Sequence, residues 1–414
     1  MGGAALVEYF THPEGVVMLV LVPGAAAPVV AGAGPLADGQ PLTAEGLSDR
    51  VTRLLVDVHG LPSDWDAGGK GDRYGRALHL RPAVNAAKRS GPLLQRKLHN
   101  PAFRYGTDYL DELGPCLFPA PVRPLVTGCD VLCLVPLGPL HSIPFGVLRW
   151  DAGHRLGEMF GLCQIPSASL LPLLQDRNPA RQAALRRTRS CVAAAVAAAE
   201  DADPGEFEAD APLLSAVLEQ AGGSADCLVG VSGPGAATKD AVIAGAAGHD
   251  IVHLACHGVF VEAAADAMEA SGLLLSDGRE APTLAPFMGA GQVPAAAAGH
   301  MLSAREVLGL SLYAELVTLR ACSSGRSAVA SGDELLGLVR AFLYAGTPSL
   351  LASLWNVNKG SSRLLLEHFY RAWLAPDGLP KWRALQEAQR ALRDVDEYDH
   401  PFHWAPFALI GDWL

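Results

Sequence analysis

The sequence has little charge and lacks the features of several large protein classes. Only 18% of its 414 residues are Asp, Glu, Lys or Arg, and the formal net charge is −11. A protein that contacts nucleic acid directly needs a basic face, and this acidic chain does not suggest one. Pro23, Gly24 and Pro28 interrupt the longest apolar stretch, so no run of about 20 apolar residues predicts a membrane span. Residues 1–8 lack the basic start of a secretory signal, and we therefore expect a cytoplasmic protein without membrane contact.

Several sequence motifs are also absent. The eight cysteines form no Cys-x-x-Cys pair, which favours buried thiols in a reducing compartment over a metal or disulfide framework. The chain has no Gly-x-Ser-x-Gly elbow of a serine hydrolase. Its glycine-rich segment 222–235 is not followed by the Gly-Lys-Ser/Thr of a phosphate-binding loop. A helical repeat of about 34 residues does not appear either, so a helical solenoid is not expected.

The apolar residues that are present form a regular pattern. Half of the chain is apolar, and short apolar runs alternate with amphipathic helical patterns, which is typical of an α/β protein with a mostly parallel sheet. We predict strands at 16–22, 131–135, 191–196, 227–231, 251–255, 272–275, 316–319, 349–354 and 407–410. We predict helices at 43–58, 82–98, 167–174, 212–220, 238–247, 333–344, 361–374 and 381–393. The first 125 or so residues lack this rhythm, which places a boundary near residue 125.

Two of the predicted strands end in reactive side chains. One apolar run is followed by His257 and Gly258, and another by Cys322 and three small residues. Ligands and reactive groups of open α/β sheets gather beyond the carboxyl ends of the strands, so neighbouring parallel strands would bring His257 and Cys322 together. A cysteine nucleophile needs a base for its thiol proton, and an imidazole can take that proton and return it to a leaving amine. The backbone N–H groups of Gly258 and Cys322 are the candidate donors to the oxyanion.

Other interpretations of these residues stay open. A single cysteine after an apolar strand is most often a buried core residue, and the pairing of two such strand ends is what favours catalysis. His253, Cys256 and His257 also suggest a metal site, but no carboxylate or second cysteine pair completes a zinc set nearby. We therefore expect no metal and no other cofactor, with His253 in the core. The segment Glu280–His300 is either an activation or autocleavage loop or a disordered insertion.

The same residues resemble the CHAT family of caspase-like cysteine proteases, relatives of caspases and separase. Residues 253–258 (His-Leu-Ala-Cys-His-Gly) match the histidine motif of the family, and residues 319–325 (Leu-Arg-Ala-Cys-Ser-Ser-Gly) match its cysteine motif. Further matching segments are 6–10, 134–140, 143–145, 332–337, 341–346, 353–357, 369–370, 404–407 and 411–412. The resemblance therefore covers nearly the whole chain.

This resemblance implies a fold and a division of the chain. The fold would be a caspase-like three-layer α/β sandwich with a mostly parallel central sheet and an N-terminal α+β appendage. Residues 1–125 would be the N-terminal region of the module, 126–235 a non-catalytic half, and 236–414 the catalytic half. Cys322 would be the nucleophile and His257 the general base and acid.

The resemblance also implies a function. The chain would be a cysteine endopeptidase that cleaves specific protein substrates, such as a gasdermin-like pore-former or another effector, in bacterial defence or regulated cell death. No sensor repeats are found in the sequence, so either the chain is a stand-alone protease or, as we expect, a separate sensor or activator protein is its partner. The alternative is a catalytically silent caspase-like scaffold that binds partners.

Substrate specificity is less determined by the sequence. The separases in this group place an acidic residue shortly after the motif tryptophan and prefer arginine at the cleavage site, whereas here no acid follows Trp355 in the next four positions. A neutral or apolar residue before the cleaved bond is therefore expected. The candidate pocket residues are Asp333, Glu334, Trp355, Asn356 and Asn358. Asp333 and Glu334 can equally be a helix N-cap and a first-turn acid.

Overall fold

The structure is a computed structural model that describes residues 3–59, 107–178, 189–201, 204–259, 267–284, 299–323, 333–355 and 357–414. The predicted helix at 82–98 and most of the segment Glu280–His300 lie outside this part of the chain.

A single twisted sheet forms the centre of the described structure. Its strands follow the order β10-β9-β8-β11-β12-β13-β5-β4-β1-β2-β3, with β6 beside β8 and β7 beside β6. The strands are β1 (Ala4–His12), β2 (Gly15–Leu21), β3 (Val29–Gly32), β4 (Val131–Val135), β5 (Gly161–Gln164), β6 (Ser190–Ala195), β7 (Ser224–Val229), β8 (Ile251–Val259), β9 (Gly272–Leu274), β10 (Met301–Ser303), β11 (Leu316–Ser323), β12 (Ser349–Ser353) and β13 (Phe407–Gly411).

Most of the strand pairs in the middle of this sheet are parallel. Strands β7, β6, β8, β11 and β12 run parallel to one another, and β13, β5, β4 and β1 form a second parallel group. Every residue of β4, β8 and β12 is buried, because parallel sheets are covered on both faces. The predicted α/β class with a mostly parallel sheet is therefore confirmed.

The helices of the described residues lie between these strands in the chain. They are α1 (Ala44–His59), α2 (Thr107–Leu117), α3 (Arg123–Val126), α4 (Leu156–Met159), α5 (Leu171–Arg177), α6 (Gly205–Glu208), α7 (Asp210–Gln220), α8 (Lys239–Ala246), α9 (Ala267–Ala270), α10 (Ala304–Leu308), α11 (Asp333–Ala345), α12 (Lys359–Leu374), α13 (Lys381–Arg393) and α14 (Pro401–Trp404). The helix predicted at 381–393 has the bounds expected from its amphipathic pattern, since Ala384, Leu385, Ala388 and Leu392 are buried on one face.

Helices cover the sheet on both faces. On one face, Tyr370 of α12 contacts His253 of β8, and α7 packs beside α12. On the opposite face, α8 lies against β6, where Gly245 approaches the side chain of Val192. The order helix, sheet, helix is the three-layer arrangement that the family resemblance implied.

The N-terminal strands extend the same sheet. Strand β1 pairs with β4 in parallel and with β2 in antiparallel register, and buried Tyr9 contacts the rings of Phe118 and Phe145. The sheet is thus continuous across the predicted boundary near residue 125 and across the one near residue 235, and both boundaries stay predictions. The sequence missed β1, β3, β5 and β10. Strands β3, β5 and β10 have only three or four residues, and β1 alternates buried with partly exposed residues instead of forming a continuous apolar run.

Candidate active site

The two strands with reactive ends are direct neighbours in the sheet. Strands β8 and β11 are parallel, and their register places Cys322 opposite His257. Residues in register on adjacent strands share a face of the sheet, so positions 257 and 322 lie side by side on one face near its carboxyl edge. Both strands run further than predicted, to Val259 and Ser323, so both positions belong to the strands themselves.

His257 is held by an aspartate that the sequence analysis did not single out. The side chain of His257 is almost fully buried, and its Nε2 lies 2.6 Å from Oδ2 of Asp201. The ring of Phe207 packs against the imidazole, with the two ring centroids 4.8 Å apart. The ring orientation of His257 is therefore fixed by a hydrogen bond on one nitrogen and an apolar contact on its side.

Asp201 comes from a third strand end on the same edge of the sheet. It follows β6, which is parallel to β8, and it accepts a hydrogen bond from the backbone N–H of Ala198 at 2.8 Å. The ammonium of Lys359 lies 3.7 Å from its other oxygen. Burial acts to raise the pKa of Asp201, but the hydrogen bond and charge of His257, with Ala198 and Lys359, outweigh it and hold the pKa below its usual value. The carboxylate is therefore charged beside the imidazole at neutral pH.

A signal for Asp201 was present in the sequence. The segment after the predicted strand 191–196 is acidic, and the carboxyl-edge rule that selected His257 and Cys322 applies to this strand as well. The sequence did not show that β6 lies directly beside β8, and this spatial order is what makes Asp201 a partner of His257.

A buried polar layer lies beneath His257 on the same face. His253 is buried, as predicted, and its Nδ1 lies 3.2 Å from the hydroxyl of Tyr370, which is 2.6 Å from that of Thr318. Burial raises the pKa of Tyr370 well above its usual value, so the phenol stays protonated. On the other side, Nε2 of His253 lies 3.6 Å from Asp210, which forms an ion pair with Arg320.

Two of the five candidate pocket residues have contacts within the fold. The indole of Trp355 is buried and donates to the carbonyl of Phe402 at 3.3 Å, while Asn358 is the N-cap of α12. The side chains of Asp333 and Glu334 and the whole of Asn356 lie outside the described residues.

Gly258 lies inside β8, between Leu273 of β9 and Ser323 of β11. Trp355 and Asn358 thus have structural roles here, while substrate contacts of these residues and the oxyanion roles of Gly258 and Cys322 stay predictions.

The described residues contain no group of three His, Cys, Asp or Glu side chains arranged to hold a metal ion. In the same part of the chain, none of the helices is both long and apolar enough to cross a membrane.

Comparison with solved structures identifies the class of fold. The separase of Saccharomyces cerevisiae, in a complex with securin, superposes with a TM-score of 0.53 at 10% sequence identity. The superposition covers 99% of this chain and 30% of the separase chain. At this identity the likeness concerns the fold alone, and it confirms the predicted caspase-like α/β architecture.

Comparison with protein families gives the particular family. A model of the CHAT domain matches residues 107–412, so the chain belongs to the CHAT domain family. Among curated proteins, human tetratricopeptide repeat protein 28 is 28% identical over 312 residues, which cover 68% of this chain and 12% of that protein. The mouse protein of the same name is 35% identical over 111 residues, 27% of this chain and 4% of that protein. The chain therefore spans only a small part of the length of these relatives.

Proposed function

We propose that this chain is a cysteine endopeptidase in which Cys322 and His257 form the catalytic dyad and Asp201 orients the histidine. The observation that carries the proposal is the register of β8 and β11, which sets Cys322 opposite His257. The carboxylate on Nε2 of His257 supports it, because a base oriented by a third group is the usual arrangement around an activated nucleophile.

In the proposed mechanism each group has one step. Nε2 of His257 is bonded to Asp201, and the other ring nitrogen, Nδ1, is proposed to take the proton of the Cys322 thiol. The sulfur then attacks the carbonyl carbon of the substrate, and backbone N–H groups stabilise the oxyanion. The imidazolium gives its proton to the leaving amine as the C–N bond breaks, which leaves an acyl-thioester. Water, deprotonated by His257, hydrolyses this ester and restores the thiol.

The substrate is proposed to be a protein with a neutral or apolar residue before the cleaved bond. The aspartate beside the dyad does not change this expectation, because Asp201 already binds His257 and Lys359 and does not offer a counter-charge to arginine. Activation by a separate protein and a role in bacterial defence or regulated cell death follow from the family resemblance, while the cytoplasmic location follows from the sequence; all three belong to the same proposal.

The experiment compares new protein N-termini in a cell extract treated with wild-type protein, Cys322→Ala or His257→Ala. We expect the wild type alone to produce new termini. Cys256→Ala is the matched control, since Cys256 is a buried cysteine on the same strand as His257 and has no part in the proposed chemistry. Identical termini from the wild type and Cys322→Ala, in the presence of cell extract that contains the activator, would favour the silent scaffold instead.

A further inference from the structure

Arg320 is a buried cation directly next to the candidate active site. It precedes Cys322 by two residues on β11 and therefore lies on the same face of the sheet. Its Nη1 donates to Oδ2 of Asp210 at 2.8 Å, its Nε to the hydroxyl of Ser362 at 2.9 Å, and its Nη2 to the backbone carbonyl of Lys359 at 3.1 Å. Only 1% of Arg320 and 3% of Asp210 are exposed, so the pair has almost no contact with water.

The partners of Arg320 belong to the two segments that surround His257. Asp210 begins α7, directly after the short helix α6 that carries Phe207, and this segment follows Asp201 in the chain. Lys359 begins α12, and its ammonium lies 3.7 Å from Asp201. Arg320 thus ties both segments to the strand of the nucleophile.

The ring of Phe207 joins these groups to the imidazole. It packs on His257 at 4.8 Å, while the guanidinium of Arg320 lies 5.3 Å from the ring centroid and the ammonium of Lys359 4.5 Å. Both distances are within the range of cation–π attraction. A displacement of Arg320 would therefore remove one of the groups that hold Phe207 and so weaken the contact of Phe207 with the ring of His257.

Stability alone does not account for this pair. Taking two charges out of water costs about as much as their attraction returns, so a buried ion pair can often be replaced by apolar residues without loss of stability. Here the charged pair lies where the segments around the dyad meet. We infer that Arg320 and Asp210 are positioning residues, which hold Phe207, Asp201 and Lys359 around His257 and so keep its imidazole aligned with position 322. This inference rests on the proposed Cys–His chemistry.

The test measures how fast iodoacetamide alkylates Cys322, which requires no known substrate. The sulfur attacks the methylene carbon, iodide leaves, and the thiol proton passes to the base. The reaction is followed by mass spectrometry on the tryptic peptide of residues 321–326, which contains no other cysteine. Arg320→Lys gives the same peptide, while Arg320→Met gives the peptide 306–326 with the same single cysteine. Rates are measured from pH 5 to pH 9 on the whole chain. The charged groups that face His257 are Asp201 and Lys359, and the layer beneath holds the Arg320–Asp210 ion pair and the titratable side chain of His253.

The main variant is the double substitution Arg320→Met with Asp210→Leu. We expect it to fold, and to alkylate at pH 7 about 10-fold to 10²-fold more slowly than the wild type, because a small misplacement of a catalytic group has effects of this size. The midpoint of its pH profile should move toward that of an unassisted thiol, about pH 8.5. Should the double variant not fold, Arg320→Lys serves instead. This variant keeps a positive charge beside Asp210 but loses the hydrogen bonds to Ser362 and to the carbonyl of Lys359. We expect its alkylation rate to lie between those of the wild type and the double variant.

The matched control removes another buried ion pair. Lys381 is fully buried and lies 3.4 Å from Glu315, which precedes β11 at the end far from Cys322, roughly 23 Å away along the strand. Lys381→Met with Glu315→Leu should leave the alkylation profile unchanged. A wild-type profile in the Arg320 variants would overturn the positioning role. A wild-type profile in His257→Ala would instead overturn the proposed dyad, so the two failures can be told apart.

Discussion

At the scale of single residues, the main finding is that the carboxylate of Asp201 contacts His257 of the histidine motif. Asp201 holds Nε2 of His257 at 2.6 Å, and its lowered pKa keeps it charged over the whole neutral range. Asp201→Asn preserves the size of the side chain but removes the charge that stabilises a protonated imidazole. We expect proteolysis and Cys322 alkylation to fall about 10²-fold at pH 6 and by a smaller factor at pH 8, where an unassisted thiol with a pKa of about 8.5 is already partly ionised. Rates across this range of pH measure the effect.

A second aspartate provides the control for this substitution. Asp151 lies 2.9 Å from Nδ1 of His154, but this pair is exposed and distant in the sequence from the site. Asp151→Asn should leave both rates unchanged. If Asp201→Asn behaves like Asp151→Asn, the carboxylate has no part in the chemistry and the dyad acts alone.

The sequence singled out His257 and Cys322 as candidates, but its signal for Asp201 was too weak to single that residue out. His257 and Cys322 stand at the ends of long apolar runs, which is a local signal. Asp201 stands in an acidic loop like many others, and it becomes a partner only because β6 pairs with β8. Arg320 was part of a recognised motif, yet its contacts with Asp210 and Ser362 join residues 110 and 42 positions apart, which no local pattern reveals.

At the scale of elements, the connection between α11 and β12 depends on a glycine. Gly346 has a φ of +131°, and a Cβ there would lie 2.2 Å from the carbonyl oxygen of Leu312. Gly346→Ala should therefore lower the free energy of unfolding by about 2 kcal/mol. Gly337, inside α11, is the matched control, because a Cβ there meets nothing within 4 Å. Gly337→Ala should raise stability by about 0.5–1 kcal/mol. Denaturant unfolding measures the free energy of unfolding of both variants. Equal changes in the two variants would contradict a special role of Gly346.

The start of α10 predicts a local dependence on pH. Burial acts to raise the pKa of Glu306, but the hydrogen bond and charge of Lys239, with bonds from Ser303, hold the pKa below its usual value of 4.5. At a pH between the pKa of Glu306 in the folded chain and its pKa in the unfolded chain, the unfolded chain binds the proton more readily. Acid therefore favours unfolding in this pH range. The contribution of Glu306 is thus complete well above pH 4.5 and is lost as the pH falls through the folded value.

Glu306→Gln should therefore reduce stability at pH 7 and have a smaller effect at pH 3. Unfolding curves at both values test this, and the difference between wild type and variant should shrink on acidification. A difference that stays constant with pH would mean that the charge of Glu306 makes no contribution and that only its role in the capping box matters.

The elements themselves were predicted to different degrees. Strands such as β4 and helices such as α13 were found at the predicted bounds, because a fully buried run and an amphipathic face of 13 residues are both strong patterns. Strands β8 and β11 extend four residues beyond the apolar run. His257 and Arg320 are polar residues in these extensions, and only tertiary contacts bury them. The apolar runs 251–255 and 316–319 thus stop just before the candidate site positions 257 and 322.

At the scale of the whole molecule, the family match and the folded unit have different limits. The CHAT domain model begins at residue 107, whereas the sheet continues through β1, β2 and β3. Strand β1 pairs with five residues of β4, and Val7, Tyr9 and Met18 are buried in the core that β4 shares. Without the N-terminal strands, β4 becomes an edge strand, and all five of its residues are buried in the full chain. An exposed apolar edge strand can pair with strands of other chains.

We therefore expect a chain limited to residues 107–414 to aggregate or to lack cooperative unfolding, even though it contains the whole family match together with His257, Cys322 and Asp201. Size-exclusion chromatography with light scattering, followed by thermal unfolding, compares it with the full chain. The control is the truncated chain supplied with residues 1–59 as a separate peptide, which carries the missing strands and α1. Recovery of a monodisperse complex would support the argument. A truncated chain that is monomeric and unfolds like the full one would show that the sheet is complete without β1–β3, because β4 would then tolerate an open edge.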